Sequence, residues 1–384
     1  MFDEPLHVGR PNIGDRARLR ERIEGALDRH YLSNGPLVVE FERKIAEVAG
    51  TEHAIAVCNA TIGIQVAVKA LGLGPGDEVI IPTFTAPPTA HALSWIGLVP
   101  VFSDVDEDTG NIDPAHAEKL IGPNTRAIMG VHIFGRPCAI DDLTALGEQY
   151  GLPVLFDAAH AIGNTYRGRA IGGFGIGEIF SFHATKYINS FDGGAIVTND
   201  KQYADRVRAM RNYGIPADRQ PYTVDSIVSL GTNAKLSEPS AAMGLTGLED
   251  MERFAEINRR NYERYVVELA GVPGIRLLSQ LDNERANHQY VAIEIDPHAA
   301  GTDREGMYDA LVARNVLVRR YFYPTCHQLE PYRGAPDVHA RLPLPRAETL
   351  ADRVLALPTG TAVGLEEVAK VCEIIRNVAG KRRR

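Results

Sequence analysis

Val154-Leu-Phe-Asp157-Ala-Ala-His160-Ala is a short apolar run that ends on a carboxylate and passes into small residues. A run apolar on both faces is how a strand buried inside a parallel sheet reads. The same layout recurs on either side of it. His53–Val57, Glu78–Ile81, Pro100–Asp104 and Arg126–His132 come before Pro153–Phe156, and Ile179–Phe182 and Ala195–Thr198 come after. These segments are rich in Val, Ile and Phe. Helical patterns such as Ile62–Leu71, closed by Gly72, lie between them. Short strands alternating with helices predict an α/β layer fold around a mainly parallel sheet. Functional residues of such sheets gather at the carboxyl ends of the strands, which is where Asp157 stands.

Beyond Asp200 the rhythm changes. Lys201–Asn212 reads as a helix, Tyr213–Thr232 as irregular chain, and Glu238 to Leu269 as one long helix able to link two domains. Strand signals at Val291–Ile295 and Val316–Arg319 then mix with helices at Arg304–Arg314 and Leu365–Val378. This predicts a smaller C-terminal α/β domain. A chain of 384 residues is long for one simple core. The expected division is a large domain over residues 1–245, with an N-terminal arm, and a small domain over 246–384.

Composition excludes several classes. No apolar run approaches the roughly 20 residues of a membrane helix, and Met1–Asp15 is acidic and polar with no signal-peptide core. A cytoplasmic enzyme is therefore expected, with no membrane partner. The net charge of −8 gives no field for attracting nucleic acid. The lone basic cluster, Lys381-Arg382-Arg383-Arg384, reads as a solvated terminus. Cys58, Cys138, Cys326 and Cys372 lie far apart, without C-x-x-C or His/Cys metal spacing, and read as reduced structural thiols. No metal site is expected.

The segment after the next strand, Ser181-Phe-His-Ala-Thr-Lys186, carries a lysine and is followed by Gly193-Gly194. Lysine seldom sits beside a core unless its charge is paired or suppressed. With a lowered pKa it attacks carbonyls, as in Schiff-base sites. Alone, the segment reads equally well as a surface lysine at a strand end. Asp157 breaks the tie. Pyridoxal phosphate (PLP) needs a carboxylate against its pyridine nitrogen, because the protonated ring is the better electron sink. An isolated Asp157 would read as a helix N-cap; with a lysine after the following strand, the pair favours the cofactor. Val57-Cys-Asn59-Ala60-Thr61-Ile62-Gly63 supplies a strand-to-helix turn whose free amides and positive helix end suit a phosphate. Ser181 offers a second hydroxyl. The turn is not a Walker loop, since G-K-[ST] is missing.

These residues carry a resemblance. The chain resembles the DegT-type sugar aminotransferases, a branch of the fold-type I PLP enzymes. The resemblance runs from Leu32-Ser-Asn34-Gly35-Pro36, through Gly76-Asp77-Glu78-Val79-Ile80, Asp157-Ala-Ala-His160-Ala and Ser181-Phe-His-Ala-Thr-Lys186. It continues through Arg211-Asn212-Tyr213-Gly214 and Gly231-Thr-Asn233-Ala-Lys-Leu-Ser-Glu238 to Leu357-Pro358. It implies that Lys186 forms the internal aldimine, that Asp157 pairs with the pyridine nitrogen and that His160 lies near the ring hydroxyl. Thr61, Ile62 and Ser181 would hold the phosphate. Asn233 would reach the neighbouring active site, which implies a homodimer. Lysine, where some relatives carry histidine, points to transamination.

His183-Ala-Thr-Lys186-Tyr-Ile-Asn189-Ser-Phe191-Asp192, Val131-His132-Ile-Phe-Gly135-Arg136 and Arg319-Arg320-Tyr321-Phe322-Tyr323-Pro324 are similar to the subgroup that aminates C4 of nucleotide-linked 4-keto-6-deoxy sugars. The implied donor is an amino acid, glutamate, and the implied acceptor is thymidine-diphosphate-linked 4-keto-6-deoxyglucose. Arg319 and Arg320 suit a phosphate or the donor carboxylate, and read equally as rim ion pairs. Asn34, Tyr321 and His327 are further substrate candidates; a lone histidine also reads as a structural hydrogen-bonder. Trp95 reads as core or interface.

One stretch departs from the family pattern. Pro82-Thr83-Phe84-Thr85-Ala86-Pro87-Pro88-Thr89 has Ala86 where an aromatic commonly stacks on the PLP ring. Either a shifted Phe84 or another side chain covers the loss, or the pocket serves a different acceptor, such as an aminocyclitol or other ring ketone. A non-catalytic PLP-binding regulator is a third reading. It lacks the attached helix-turn-helix such proteins use.

Overall fold

Seven strands form the main sheet: β1 (His53–Val57), β2 (Glu78–Pro82), β3 (Val99–Ser103), β4 (Thr125–Val131), β5 (Val154–Asp157), β6 (Gly177–Ser181) and β7 (Gly194–Thr198). They were placed in a computed structural model that describes residues 2–219, 223, 225–278 and 284–380. The order is β1-β7-β6-β5-β4-β2-β3. β7 runs antiparallel to both of its neighbours, and the other pairings are parallel. Each strand lies within two residues of its sequence expectation. The reason is burial on both faces. Ile179, Ile55 and Leu155 point into one hydrophobic layer, while Phe180, Ala56 and Phe156 point into the other. Each such Ile, Leu or Phe contributes about 1.5–3 kcal/mol by leaving water.

Helices Pro36–Ala49, Ile140–Tyr150 and Glu238–Glu249 supply residues to one layer. Ala60–Ala70, Pro87–Trp95 and Lys201–Arg211 supply the other. The register brings strand ends together. Asp157 lies opposite Val131 on one side and Ile179 on the other, and Gly194 lies opposite both Ser181 and Val57.

A second sheet is antiparallel: β8 (Ile275–Leu277), β9 (Val291–Ile295) and β10 (Val354–Leu357), in that order. Helices Arg304–Val312 and Leu365–Ala379 cover it, around a separate core that includes Tyr265, Ile293, Leu355, Val371 and Ile375. Leu6, from the N-terminal arm, belongs to this core, and Leu6–His7 pairs in parallel with Val316–Leu317. A cluster of Phe84, Phe134, Tyr290, Phe322 and Ala347 lies where the two sheets approach.

The long helix expected over Glu238–Leu269 is two helices, Glu238–Glu249 and Met251–Leu269, broken at Asp250 (φ −96°, ψ 8°). No Pro or Gly marks the break. The first helix is buried on nearly every side, from Ala241 to Leu248, whereas the second is one-sided and ends on Tyr265 and Leu269 in the smaller core. Packing, not local propensity, turns the chain there. Trp95 is 85% exposed, so its core reading is excluded. The four cysteines form no disulfide. No helix among the described residues is long and apolar enough to cross a membrane. The basic tail from Lys381 lies outside the described residues.

Candidate active site

A cavity of about 540 Å³ opens at the carboxyl edge of the main sheet. One end is the turn from β1 into helix Ala60–Ala70. Asn59 caps that helix, its side chain accepting from the Ile62 amide at 2.9 Å. The amides of Ala60 and Thr61, first in the helix, have no carbonyl a turn earlier to bond. They stand beside the hydroxyls of Thr61 and Ser181 on the cavity wall. The Gly193-Gly194 pair permits this close packing. A Cβ on Gly194 would sit 2.7 Å from the Ala60 nitrogen, and one on Gly193 would overlap Ser190 Oγ.

Asp157, at the tip of β5, is buried on the cavity wall. Its Oδ2 accepts from Thr89 Oγ1 at 2.9 Å and its Oδ1 from the Ala159 amide at 3.1 Å. Thr85 Oγ1 is 3.1 Å from Thr89 Oγ1, so a line of hydroxyls points at the carboxylate. Burial raises the pKa of Asp157; the two hydrogen bonds and Lys186 oppose that shift. A cationic partner in the cavity would relieve it.

Lys186 projects from the loop between β6 and β7. Burial of its amine lowers the pKa to about 8, against the attraction of Asp157. Its Nζ donates to Tyr290 Oη at 3.2 Å. At neutral to mildly alkaline pH a substantial fraction of this amine is neutral and nucleophilic. His160 is held neutral by burial, and its Nδ1 is buried without a partner. The His160 ring lies 4.5 Å from Tyr290 and is stacked, at 6.1 Å and 9°, on Phe322.

These residues fit PLP. The cavity wall brings together anion donors, a carboxylate suited to the ring nitrogen, an amine and an unpartnered imidazole nitrogen. Thr61, Ile62, Asp157, His160, Ser181 and Lys186, chosen from sequence, all line the one cavity. The Ile62 amide is already spent on Asn59, which leaves Ala60 and Thr61 as the backbone donors.

The substrate candidates scatter. Tyr321 lines this cavity and also a neighbouring one of about 390 Å³, which shares Ala86, Tyr321 and Phe322 with it. Arg319 is exposed on the second cavity and forms no ion pair among the described residues. Arg320 is paired with Glu305 at 2.5 Å and lies 3.4 Å over the Tyr308 ring, the rim ion pair foreseen as its other reading. His327 lines neither cavity. It is a strut, bonded to Thr83 at 2.8 Å, Thr325 at 3.1 Å and Glu348 at 3.0 Å. Asn34 has φ 53° and its Oδ1 is buried without a partner, away from the cavity lining. Asn233 is exposed and outside this cavity.

Ala86 does line the cavity, but Phe84 does not replace the missing ring. It is fully buried, edge-on to Phe134 and Phe322. Among the described residues, the aromatic rings that reach the cavity are His160, His183, Tyr290, Tyr321 and Phe322. Thr89, Gln289 and Tyr290 were missed by sequence reading. The polar Asn287-His-Gln-Tyr290 run directly before an apolar strand was the available signal.

The family model "DegT/DnrJ/EryC1/StrS aminotransferase family" matches residues 14–376. The chain is 34% identical to dTDP-4-amino-4,6-dideoxy-D-glucose transaminase of Escherichia coli, over 98% of this chain and 99% of that one. It is 33% identical to spore coat polysaccharide biosynthesis protein SpsC of Bacillus subtilis, over 93% of each. Among solved structures, DesI in the presence of its TDP-sugar product superposes with a TM-score of 0.93 at 48% identity, covering 100% of this chain and 94% of that one.

Proposed function

This chain belongs to the DegT/DnrJ/EryC1/StrS aminotransferase family and is a PLP-dependent sugar aminotransferase; from that premise we propose that it moves the amino group of glutamate to C4 of dTDP-linked 4-keto-6-deoxyglucose. Bound PLP supplies the electron sink for negative charge at the carbon next to the transferred nitrogen. The chain's own residues do the rest. Asp157 holds a positive charge at the ring nitrogen. The Ala60 and Thr61 amides, with the Thr61 and Ser181 hydroxyls, hold the phosphate. Lys186 Nζ carries the proton taken from the amino acid and, in the second half-reaction, delivers one to the sugar carbon.

The observation that carries this reading is the pair of adjacent cavities that share Ala86, Tyr321 and Phe322 as lining. A sugar reaching Lys186 leaves room of about 390 Å³ beyond Tyr321 for a nucleotide, with Arg319 at hand for a diphosphate. The likeness to a dTDP-sugar transaminase, and to a protein solved with a TDP-sugar product, supports the same acceptor. The assay is incubation of the PLP-loaded enzyme with glutamate and a panel of ketones, read by mass. Amination of the dTDP-4-keto sugar is the expected result. Turnover of a free cyclitol ketone in its place would overturn the acceptor.

A homodimer follows from the same reading. Tyr31, Leu32, Phe191, Tyr213, Val228 and Leu230 are all exposed, Leu230 by 88%. Backbone bonds link several of these segments near Asn34 and Asn233: Ser33 bridges Ser237, Asn212 bridges Asn233, and the Val228 amide donates to Gly214. An apolar surface of this kind suits burial against a second copy. In this reading Asn233, exposed and outside its own cavity, serves the neighbour's phosphate.

A further inference from the structure

Lys186 is gripped by the short run, about a hundred residues further along the chain, that leads into β9. The Gln289 side chain spans the lysine's backbone. Its Oε1 accepts from the Tyr187 amide at 2.6 Å, and its Nε2 donates to the Thr185 carbonyl at 2.6 Å. Asn287 orders Gln289 in turn, its Oδ1 accepting from the Gln289 amide at 3.0 Å. The same Asn287 donates from Nδ2 to the carbonyls of His160 and Ile162 at 3.0 and 3.1 Å. One buried segment therefore holds both Lys186 and His160. Tyr290 completes it. The ring is buried between His160 at 4.5 Å and Tyr321 at 6.0 Å, and its hydroxyl reaches Lys186 Nζ.

We propose that Tyr290 is a positioning residue for amino transfer, its hydroxyl holding the free Lys186 amine in the cavity while Gln289 fixes the backbone from which that side chain swings. This rests on the assignment of Lys186 as the proton-carrying lysine. The groups facing the amine are Asp157 at the tip of β5, His160 just beyond it, Tyr321 and Tyr290 from the second sheet's side, and Asp192 and His183 on the cavity wall. Asp157 is the carboxylate that draws the ammonium. Without the Tyr290 oxygen, the amine loses the hydrogen bond that opposes the pull of Asp157. Burial raises the Tyr290 phenol's own pKa, so it stays neutral and acts as a hydrogen-bond partner, not as a base.

A hydrogen bond to an ammonium is about twice as strong as one to a neutral amine. Tyr290→Phe keeps the ring and removes the oxygen, so it costs the charged form more. The amine's midpoint, about 8 in the parent, is expected to fall by roughly half to one pH unit. It is read by the pH dependence of acetic anhydride labelling of Lys186 in the full chain stripped of cofactor, followed by peptide mass. In the loaded enzyme, kcat is expected to fall roughly tenfold or more, as for a misplaced catalytic group, with KM for both substrates held. An unchanged midpoint overturns the proposal, whether kcat also holds or kcat and KM worsen together as packing damage would cause. Gln289→Glu, which keeps the acceptor for Tyr187 and loses the donor to Thr185, is expected to lower kcat likewise; parental kcat in that variant overturns the Gln289 part. If Lys186→Ala stays active, the lysine's assignment fails instead, so the two failures are distinct.

Discussion

Replacing Thr89 with valine tests the electrostatics of the site with almost no change of shape. Thr89 is fully buried, and its hydroxyl donates to Asp157 Oδ2 at 2.9 Å while receiving the Thr85 hydroxyl at 3.1 Å. Valine fills the same volume and donates nothing. A hydrogen bond to a charged group contributes about 1.5–3 kcal/mol. At 1.36 kcal/mol per pKa unit, its loss raises the Asp157 pKa by roughly one to two units. That pKa is already raised by burial. The variant therefore keeps a protonated, uncharged Asp157 to higher pH than the parent does. A neutral Asp157 cannot balance the positive ring nitrogen, so PLP is expected to bind roughly ten- to a hundredfold more weakly on the acidic side. The defect shrinks as pH rises and both proteins ionise. The assay is absorbance titration of PLP into the stripped chain at several pH values, with melting curves to confirm folding. Parental affinity at mildly acidic pH, or a defect that does not shrink on raising the pH, would refute the reasoning.

Four further outcomes are expected. Lys186→Ala abolishes transamination, and borohydride no longer fixes PLP to the peptide containing position 186; residual turnover at the parental rate removes the lysine from its role. In the parent, covalent capture of PLP by the stripped chain accelerates as pH approaches about 8 and levels above it, because the neutral amine is the reactive form. Arg319→Gln raises KM for the nucleotide sugar roughly tenfold, the value of a charge-assisted bond at the low end, and leaves the half-reaction with glutamate unchanged; equal effects on both substrates would place Arg319 elsewhere. Co-expressed Lys186→Ala and Asn233→Ala chains, each impaired alone, regain activity as mixed dimers that assemble one intact site, and an absence of such rescue argues against an Asn233 shared between subunits.

The strands were legible because burial on both faces leaves little but Val, Ile, Phe and Ala to choose from. Asp157 and Lys186 could be singled out because a charge at or soon after the end of such a run has few bland explanations once two follow neighbouring strands. Other features left no local mark. The break at Asp250 comes from a change of packing partner, with no Gly or Pro to announce it. Tyr290 and Gln289 touch Lys186 and its neighbours from a hundred residues away, so no spacing rule links them. His327 lies in a stretch that resembles a sugar-site motif, yet three hydrogen bonds make it a brace between segments. Motif likeness places a residue in a neighbourhood; which way its side chain faces is decided by distant partners.

Two helices begin at this cavity, and they differ electrically. The one starting at Ala60 offers bare amides. The one starting at Pro87 has Ala86 as its cap, with no side-chain cap bond, two prolines without N–H groups, and a Thr89 amide already given to Ala86. The second helix start is thus mute toward an anion, although its axis points the same kind of dipole inward. The cavity is keyed by this asymmetry. A molecule with one phosphate has a single end at which to be welcomed, so it enters in one orientation and presents the same face to Lys186 every time. Giving the Pro87 end a voice, for instance with Pro88→Ala, would add a competing amide and blur the key.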